Sequence, residues 1–398
     1  MSVHQSSPGE SPVLPPPLIV DSPCQVASLQ QMLQGAKRVA VDTESNSLYA
    51  YRPRVCLIQI STDDADALID PLQLDVKAEL ACLRDVFADP SVEKVFHAAE
   101  YDVMGLRRDF GFSFANLFDT MTAARILGWD QFGLGAILEQ RFGITLNKRH
   151  QRANWGQRPL SPVLIRYAQM DTHYLLPLRD QLFAMLEAGG HLEEARELFD
   201  ELCQVEWQEA EFDPQGFWRI GGVHSLEPEG IAVLRELYLY RDEQARQRDV
   251  PPFKIMTDQI LLALAATKPR SMRQLAQVVG IGAVQVRRYG MGILEAVRRG
   301  LRAGPPAPAH HYSGYSNEQV VRRFEALHSW RKQRAAQRGV SSEVVMPRDA
   351  LWELAQVAPR NWEQLQAIRS IGPWRLKTYG DEILRVLDSV DATQPEGK

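Results

Sequence analysis

Four carboxylates and one phenol in this sequence have types and spacings that could do chemistry. In "AVDTE", Asp42 and Glu44 stand two apart on an apolar β-type run, so both side chains leave one face. In "VFHAAEYDV", Asp102 opens a helical stretch directly after an apolar run. In "YAQMDTHY", Tyr167 and Asp171 are four apart, one helical turn, and share a face. Singly, each carboxylate has an ordinary account: a solvated strand end for Asp42 and Glu44, helix capping for Asp102, an exposed helix surface for Asp171. A carboxylate entering a core is nevertheless costly unless a cation pairs with it. Four oxygen donors, with no cysteine and little histidine spaced for soft ligands, suit hard divalent cations such as Mg²⁺ or Mn²⁺. Two such ions about 3.5–4 Å apart would stabilise the attacking and leaving oxygens of an in-line phosphoryl displacement. The partner that Asp171 awaits is then a metal.

Such residues need a sheet to hold them. "RVAVDTE", "RVCLIQIST" and "DALID" read as three adjacent strands, a meander. "KAELACLRDVFA" follows as an amphipathic helix, "VEKVFHA" as a strand, and "EYDVMGLRRDFG" as a helix closed by Gly111. Together they predict a mixed sheet flanked by helices. From "FDTMTAARILG" onward the pattern is almost wholly helical, with Asp119 placed to cap the helix that follows it.

The second half repeats itself at an offset of 90 residues without gaps. "YRDEQARQRDVPPFKIM" aligns with "WRKQRAAQRGVSSEVVM", and identities include Leu237/Leu327, Arg241/Arg331, Met256/Met346, Gly282/Gly372 and Tyr289/Tyr379. Two copies of one small helical domain follow, joined by the Pro- and Gly-rich "RAGPPAPAHHYSGYSN". The net charge of −5 hides an asymmetry: residues 235–302 carry thirteen Lys or Arg against six Asp or Glu, and residues 321–389 twelve against eight. Basic modules behind an acidic one suggest a polyanion-binding half. Four scattered cysteines argue for reduced thiols in the cytoplasm and against a thiolate zinc site. The Ser- and Pro-rich start lacks the basic and apolar regions of a secretory signal, and no apolar run approaches a membrane span.

"VDTE", "VFHAAEYD" and "YAQMDTHYL" resemble the three motifs of the DEDD exonuclease superfamily in its tyrosine branch, and "NWGQRPLSPVLIRYAQMDTHYLLPL" is similar to ribonuclease D in particular. The repeats resemble HRDC domains. The resemblance implies an α/β exonuclease domain of ribonuclease H-like fold over residues 18–215, and all-α HRDC domains over 225–303 and 318–390. A linker at 304–317 and tails at 1–17 and 391–398 complete the chain. It assigns Asp42, Glu44, Asp102 and Asp171 as ligands of two Mg²⁺ or Mn²⁺ ions, with Tyr167 positioning the attacking water. His97 stands where the wider superfamily often has asparagine; strand-end packing is its simpler role. The activity implied is 3′→5′ hydrolysis of RNA to 5′-mononucleotides, on tRNA precursors and other structured RNAs, with no membrane and no obligate protein partner. Lys148, Arg149, Arg152 and Arg158 are candidate phosphate contacts near the cleft, as are Arg287 and Arg288 in the first repeat. Trp155 suits core anchoring or stacking on a base. The rival functions are a DNA 3′→5′ exonuclease in repair and a nucleic-acid-binding protein with a relic nuclease domain.

Overall fold

The computed structural model describes residues 14–207, 211–304, 306 and 317–392. The N-terminal tail before residue 14, most of the expected linker and the last six residues lie outside these.

Six strands form one sheet: β1 (Leu18–Val20), β2 (Arg38–Ser45), β3 (Val55–Ser61), β4 (Asp66–Ile69), β5 (Glu93–Phe96) and β6 (Leu117–Asp119). Their order is β1-β4-β3-β2-β5-β6, so the three runs read as a meander are indeed neighbours. The sheet is mixed: β3 and β4 are antiparallel, while β1–β4, β2–β5 and β5–β6 are parallel. Strand β3 is buried along its whole length, Gln59 and Ser61 included, which explains why its residues are mostly apolar on both faces.

Alternation along β2 sorts the two faces. Val39 and Val41 join a core with α1 (Pro23–Leu33), α2 (Ala81–Ala88) and α3 (Glu100–Phe110), through Leu29, Leu83, Phe87 and Leu106. Ala40 joins the opposite core, with α4 (Thr120–Ile126), α7 (Leu175–Ala188) and α8 (Leu192–Cys203). Asp42 and Glu44 share the parity of Ala40, so they leave β2 on the second face. Two further helices frame that side, α5 (Leu134–Phe142) and α6 (Pro162–His173). Helix α3 ends as its sequence predicts, with Gly111 left-handed at φ 75°.

The repeats are helical and built alike. The first has α9 (Pro228–Gln247), α10 (Asp258–Thr267) and α11 (Ala283–Ala303); the second has α12 (Glu318–Arg338), α13 (Arg348–Val357) and α14 (Pro373–Ala392). Leu237 and Leu327 are both fully buried. Arg241 and Arg331 are both buried and each reaches the carbonyl of the matching methionine, Met256 at 3.2 Å and Met346 at 3.0 Å. The duplication is therefore one of side-chain roles as well as letters.

The chain separates into two compact units, but they do not follow the repeat boundaries. One contains the sheet, its helices and the second repeat; the other contains the first repeat together with Ser45–Arg54. Val340 and Val344 of the second repeat pack into the core that holds Phe118, Ile126 and Phe199. Beside them, α8 presents Glu193, Glu194, Glu197 and Glu201, and Arg338 and Arg375 pair with the last three. Helix and repeat are thus one packed body.

Candidate active site

Three elements bring the motif residues together. Strand β2 supplies Asp42 and Glu44. Helix α6 starts cleanly, with Ser161 as cap and Pro162 in its first turn, and presents Tyr167 and Asp171 on its buried face. A Ser61–Thr172 hydroxyl contact of 2.7 Å fixes α6 against β3. Asp42, Glu44 and Asp171 each offer an oxygen within 4.8 Å of the others.

Asp102 comes from the first turn of α3 and lies outside that group of three. It is 8% exposed, and its Oδ1 accepts the Thr43 hydroxyl at 2.5 Å, which ties it to the strand carrying Asp42. The turn before α3 is held from below. Ala98 is left-handed at φ 66°, and the fully buried Asp119 accepts the Ala99 N–H at 2.7 Å and the Thr122 N–H at 2.6 Å. Asp119 thus caps α4 as expected and also anchors the entry to α3. His97 stacks into the same corner, with Nδ1 2.9 Å from the Thr120 hydroxyl; burial holds its pKa below the usual value.

The cluster opens into a cavity of about 740 Å³, lined by Asp42, Glu44, Tyr167 and Asp171, by His97 and Gln151, and by the loop entering α5. No Lys or Arg belongs to that lining among the described residues. Burial pushes Asp42 up to about 7. Burial, then the charges of Asp42, Asp171 and Asp102, push Glu44 up to about 10. Asp102 and Asp171 are raised well above the carboxylate range, first by burial and then by Asp42. Carboxylates crowded without a cation are forced toward their neutral forms. An all-oxygen donor set of this kind suits hard divalent ions and does not fit a thiolate zinc site or iron–sulfur chemistry.

Tyr167 is 7% exposed, and its hydroxyl is pushed above its ordinary pKa by burial and by Asp171, Glu44 and Asp42. It keeps its proton across the neutral range. Its hydroxyl hydrogen-bonds the side chain of Gln151, a residue missed in the sequence because it is a lone amide inside a run of cations. Trp155, 1% exposed, packs 6.1 Å from the Tyr167 ring, so it is a core anchor and does not stack on a base.

The basic candidates divide. Arg149 and Arg152 are exposed on the short helical turn Lys148–Arg152; the side chain of Lys148 lies outside the described residues. Arg158 is engaged within the fold. Its guanidinium is turned inward onto Asp70, the Cys56 carbonyl at 2.6 Å and the Trp155 carbonyl at 2.7 Å. A buried carboxylate needed that cation more than solvent did. Arg287 and Arg288 are exposed on α11, in the other compact unit.

Residues 17–187 match the family described as 3′-5′ exonuclease, and residues 231–297 and 321–387 each match the HRDC domain. The catalytic core of RRP6 from Trypanosoma brucei is 30% identical, with a TM-score of 0.65 over 72% of this chain and 80% of that one. The chain belongs to the ribonuclease D and RRP6 family of 3′-5′ exonucleases. Escherichia coli RNase D, described as an exoribonuclease involved in structured RNA processing, is 25% identical with a TM-score of 0.63, over 94% of this chain and 99% of that one. The exosome complex exonuclease RRP6 of Saccharomyces cerevisiae is 33% identical over 300 residues, 72% of this chain. The chain spans only 41% of that yeast relative's length. Enzymes of this exonuclease family use divalent metals, and the acidic group around Asp42 is where this member would hold them.

Proposed function

We propose that this protein is a 3′→5′ exoribonuclease that hydrolyses RNA to 5′-mononucleotides in the cytoplasm, trimming tRNA precursors and other structured RNAs. The observation that carries the proposal is the convergence of Asp42, Glu44 and Asp171 within 4.8 Å beside a buried tyrosine, in one open cavity. Asp42, Glu44, Asp102 and Asp171 would hold two Mg²⁺ or Mn²⁺ ions. Bound there, such ions supply charge neutralisation at the phosphoryl group and a water acidic enough to attack at neutral pH.

The protein's own groups do the rest. Tyr167 retains its proton, so it orients the attacking water by hydrogen bonding and is no base. The Asp171 carboxylate and the Gln151 side chain both lie against that hydroxyl. Thr43 donates to Asp102, and Asp119 anchors the turn that leads into its helix. Lys148, Arg149 and Arg152 are proposed to meet substrate phosphates near the cavity, and Arg287 and Arg288 to meet RNA phosphates through the first repeat.

A DNA exonuclease would need the same four carboxylates, so sugar choice is the point to test. A relic nuclease would have lost at least one of them, and all four are present with their tyrosine. The decisive assay incubates the purified chain with Mg²⁺ or Mn²⁺ and 5′-labelled RNA and DNA of matched sequence. Shortening of RNA from the 3′ end, released as 5′-mononucleotides and stopped by EDTA, is expected. Internal cleavage, no cleavage, or preference for DNA would each overturn the proposal.

A further inference from the structure

The two repeats present one face in two different states. In the second repeat α14 begins just after Gly372, and the carboxylate of Glu197 from α8 sits on that helix start. Glu197 accepts the backbone N–H of Trp374 at 2.6 Å and of Arg375 at 3.4 Å. Arg338 donates to the Tyr379 hydroxyl at 2.7 Å and to the fully buried Glu194 at 2.7 Å. Lys377 stands 3.7 Å from Glu193. A helix start, an arginine and a lysine thus hold three carboxylates of the protein itself. Glycine at 372 is a requirement of that arrangement, because a Cβ there would fall inside the Glu197 carboxyl group.

The first repeat has the same parts in register, without a carboxylate on them: its helix start carries only its own Gln285, whose Oε1 accepts the Gly282 N–H at 3.0 Å. Gly282 precedes α11, Arg248 stands where Arg338 does, and Arg287 where Lys377 does. Arg248 lies over the Tyr289 ring at 5.1 Å, the counterpart of the Arg338–Tyr379 pair. Arg248 and Arg287 are exposed; Val284 beside them is 60% exposed, whereas its counterpart Trp374 is partly covered. Gly282 has an ordinary φ of −89°, and a Cβ there would meet only Gln285 Oε1, at 3.8 Å. Nothing inside the first repeat requires glycine at that position. The space it leaves free is the space that a carboxylate fills in the second repeat.

We propose that this face of the first repeat grips RNA backbone phosphates through Arg248, the helix start after Gly282, and Arg287. The second repeat, whose matching face is filled by the protein's own glutamates, does not. The identity of the ligand rests on the exoribonuclease proposal; the anion site rests on the internal comparison. Phosphate oxygens accept from a helix start and from Arg as carboxylates do. RNA is favoured over an acidic protein helix because the first repeat adds Arg288 where the second has Thr378, and carries thirteen cationic against six acidic residues over 235–302. That excess of cations suits a continuous polyphosphate.

The test uses the full chain carrying Asp171→Asn, which separates binding from turnover. Anisotropy of a fluorescein-labelled RNA hairpin with a 3′ single strand is followed from 50 to 300 mM KCl. Arg248→Ala with Arg287→Ala should weaken binding about 10-fold at low salt and flatten the log–log salt slope by about 1.4–1.8, two phosphates' worth. Gly282→Val alters no charge and should weaken binding about 3- to 10-fold by blocking the helix start. Lys377→Ala should leave the affinity unchanged. Wild-type affinity in both first-repeat variants, with melting curves intact, would overturn the proposal, as would an equal loss in Lys377→Ala. So would binding of a labelled peptide of residues 190–204 through Arg248 with no Arg248 effect on RNA, since the face would then dock protein. Hydrolysis of a short oligonucleotide, measured for the same changes with Asp171 intact, reads the nuclease proposal separately.

Discussion

Replacing Asp42 by Asn should make the metal-free protein more stable while abolishing hydrolysis. Asp42 is raised from 3.8 to about 7, chiefly by burial. A group whose folded pKa lies above its unfolded value binds more protons when folded, so stability falls as pH rises from about 4 to 7 and the loss persists above that range. The shift of about 3 pKa units corresponds to a gross cost of about 4 kcal/mol. Asp42 is only partly buried in the open cavity, and water there screens most of that, leaving about 1–2 kcal/mol. Asparagine keeps the volume and removes the charge, so in EDTA at pH 7.5 the melting temperature should rise by about 1–3 °C. Added Mg²⁺ or Mn²⁺ should invert the order, because an ion at 100 times its Kd stabilises the native protein by about 2.7 kcal/mol and the variant has lost a ligand. Differential scanning fluorimetry with and without metal, run beside hydrolysis of labelled RNA, reads both halves. A lower metal-free melting temperature for Asp42→Asn would mean that Asp42 has a protein partner in the fold, and full activity would remove it from the metal site.

Tyr167→Phe keeps the ring and loses the hydroxyl, so turnover should fall about 10²–10⁴-fold while the metal-dependent rise in melting temperature persists; normal turnover would reduce Tyr167 to packing. Gln151→Ala should lower kcat about 3- to 20-fold with KM for a short oligonucleotide unchanged, and an effect on KM alone would make Gln151 a substrate contact. Arg158→Ala strands buried Asp70 and should cost about 3 kcal/mol in urea unfolding with the RNA salt slope unaltered; a shallower slope would restore Arg158 as a phosphate contact. Arg338→Ala leaves fully buried Glu194 without its arginine and should cost about 3 kcal/mol, much of it recovered by adding Glu194→Gln; absence of that recovery would show that packing, not charge, joins the second repeat to α8.

The parts of this molecule that were legible in the sequence are those written as local patterns. Short β-rich runs gave four of the six strands and the adjacency of β2, β3 and β4, Gly111 marked a helix end, and a two-residue spacing on β2 placed Asp42 and Glu44 on one face. The three-residue strands β1 and β6 were too short to read. Illegible were the pairings whose partners lie far apart in the chain. Arg158 looked like a solvated cation in a basic loop because Asp70, 88 positions earlier, carries no mark of its burial. Asp119 showed its cap on Thr122, three residues away, but not its second bond to Ala99, twenty residues back. The division of the repeats was hidden for the same reason. Their sequences align without a gap, yet one is welded to α8 by Glu194 and Glu197, more than 140 residues before Arg338 and Arg375. A duplicated sequence predicts a duplicated fold, because the core residues come in matched pairs. It does not predict duplicated surfaces, because what covers a surface is written elsewhere. Here the acidic stripe of α8 fits the same anion-holding face that the first repeat leaves open, so one gene duplication yields a structural brace and a free binding face from the same residues.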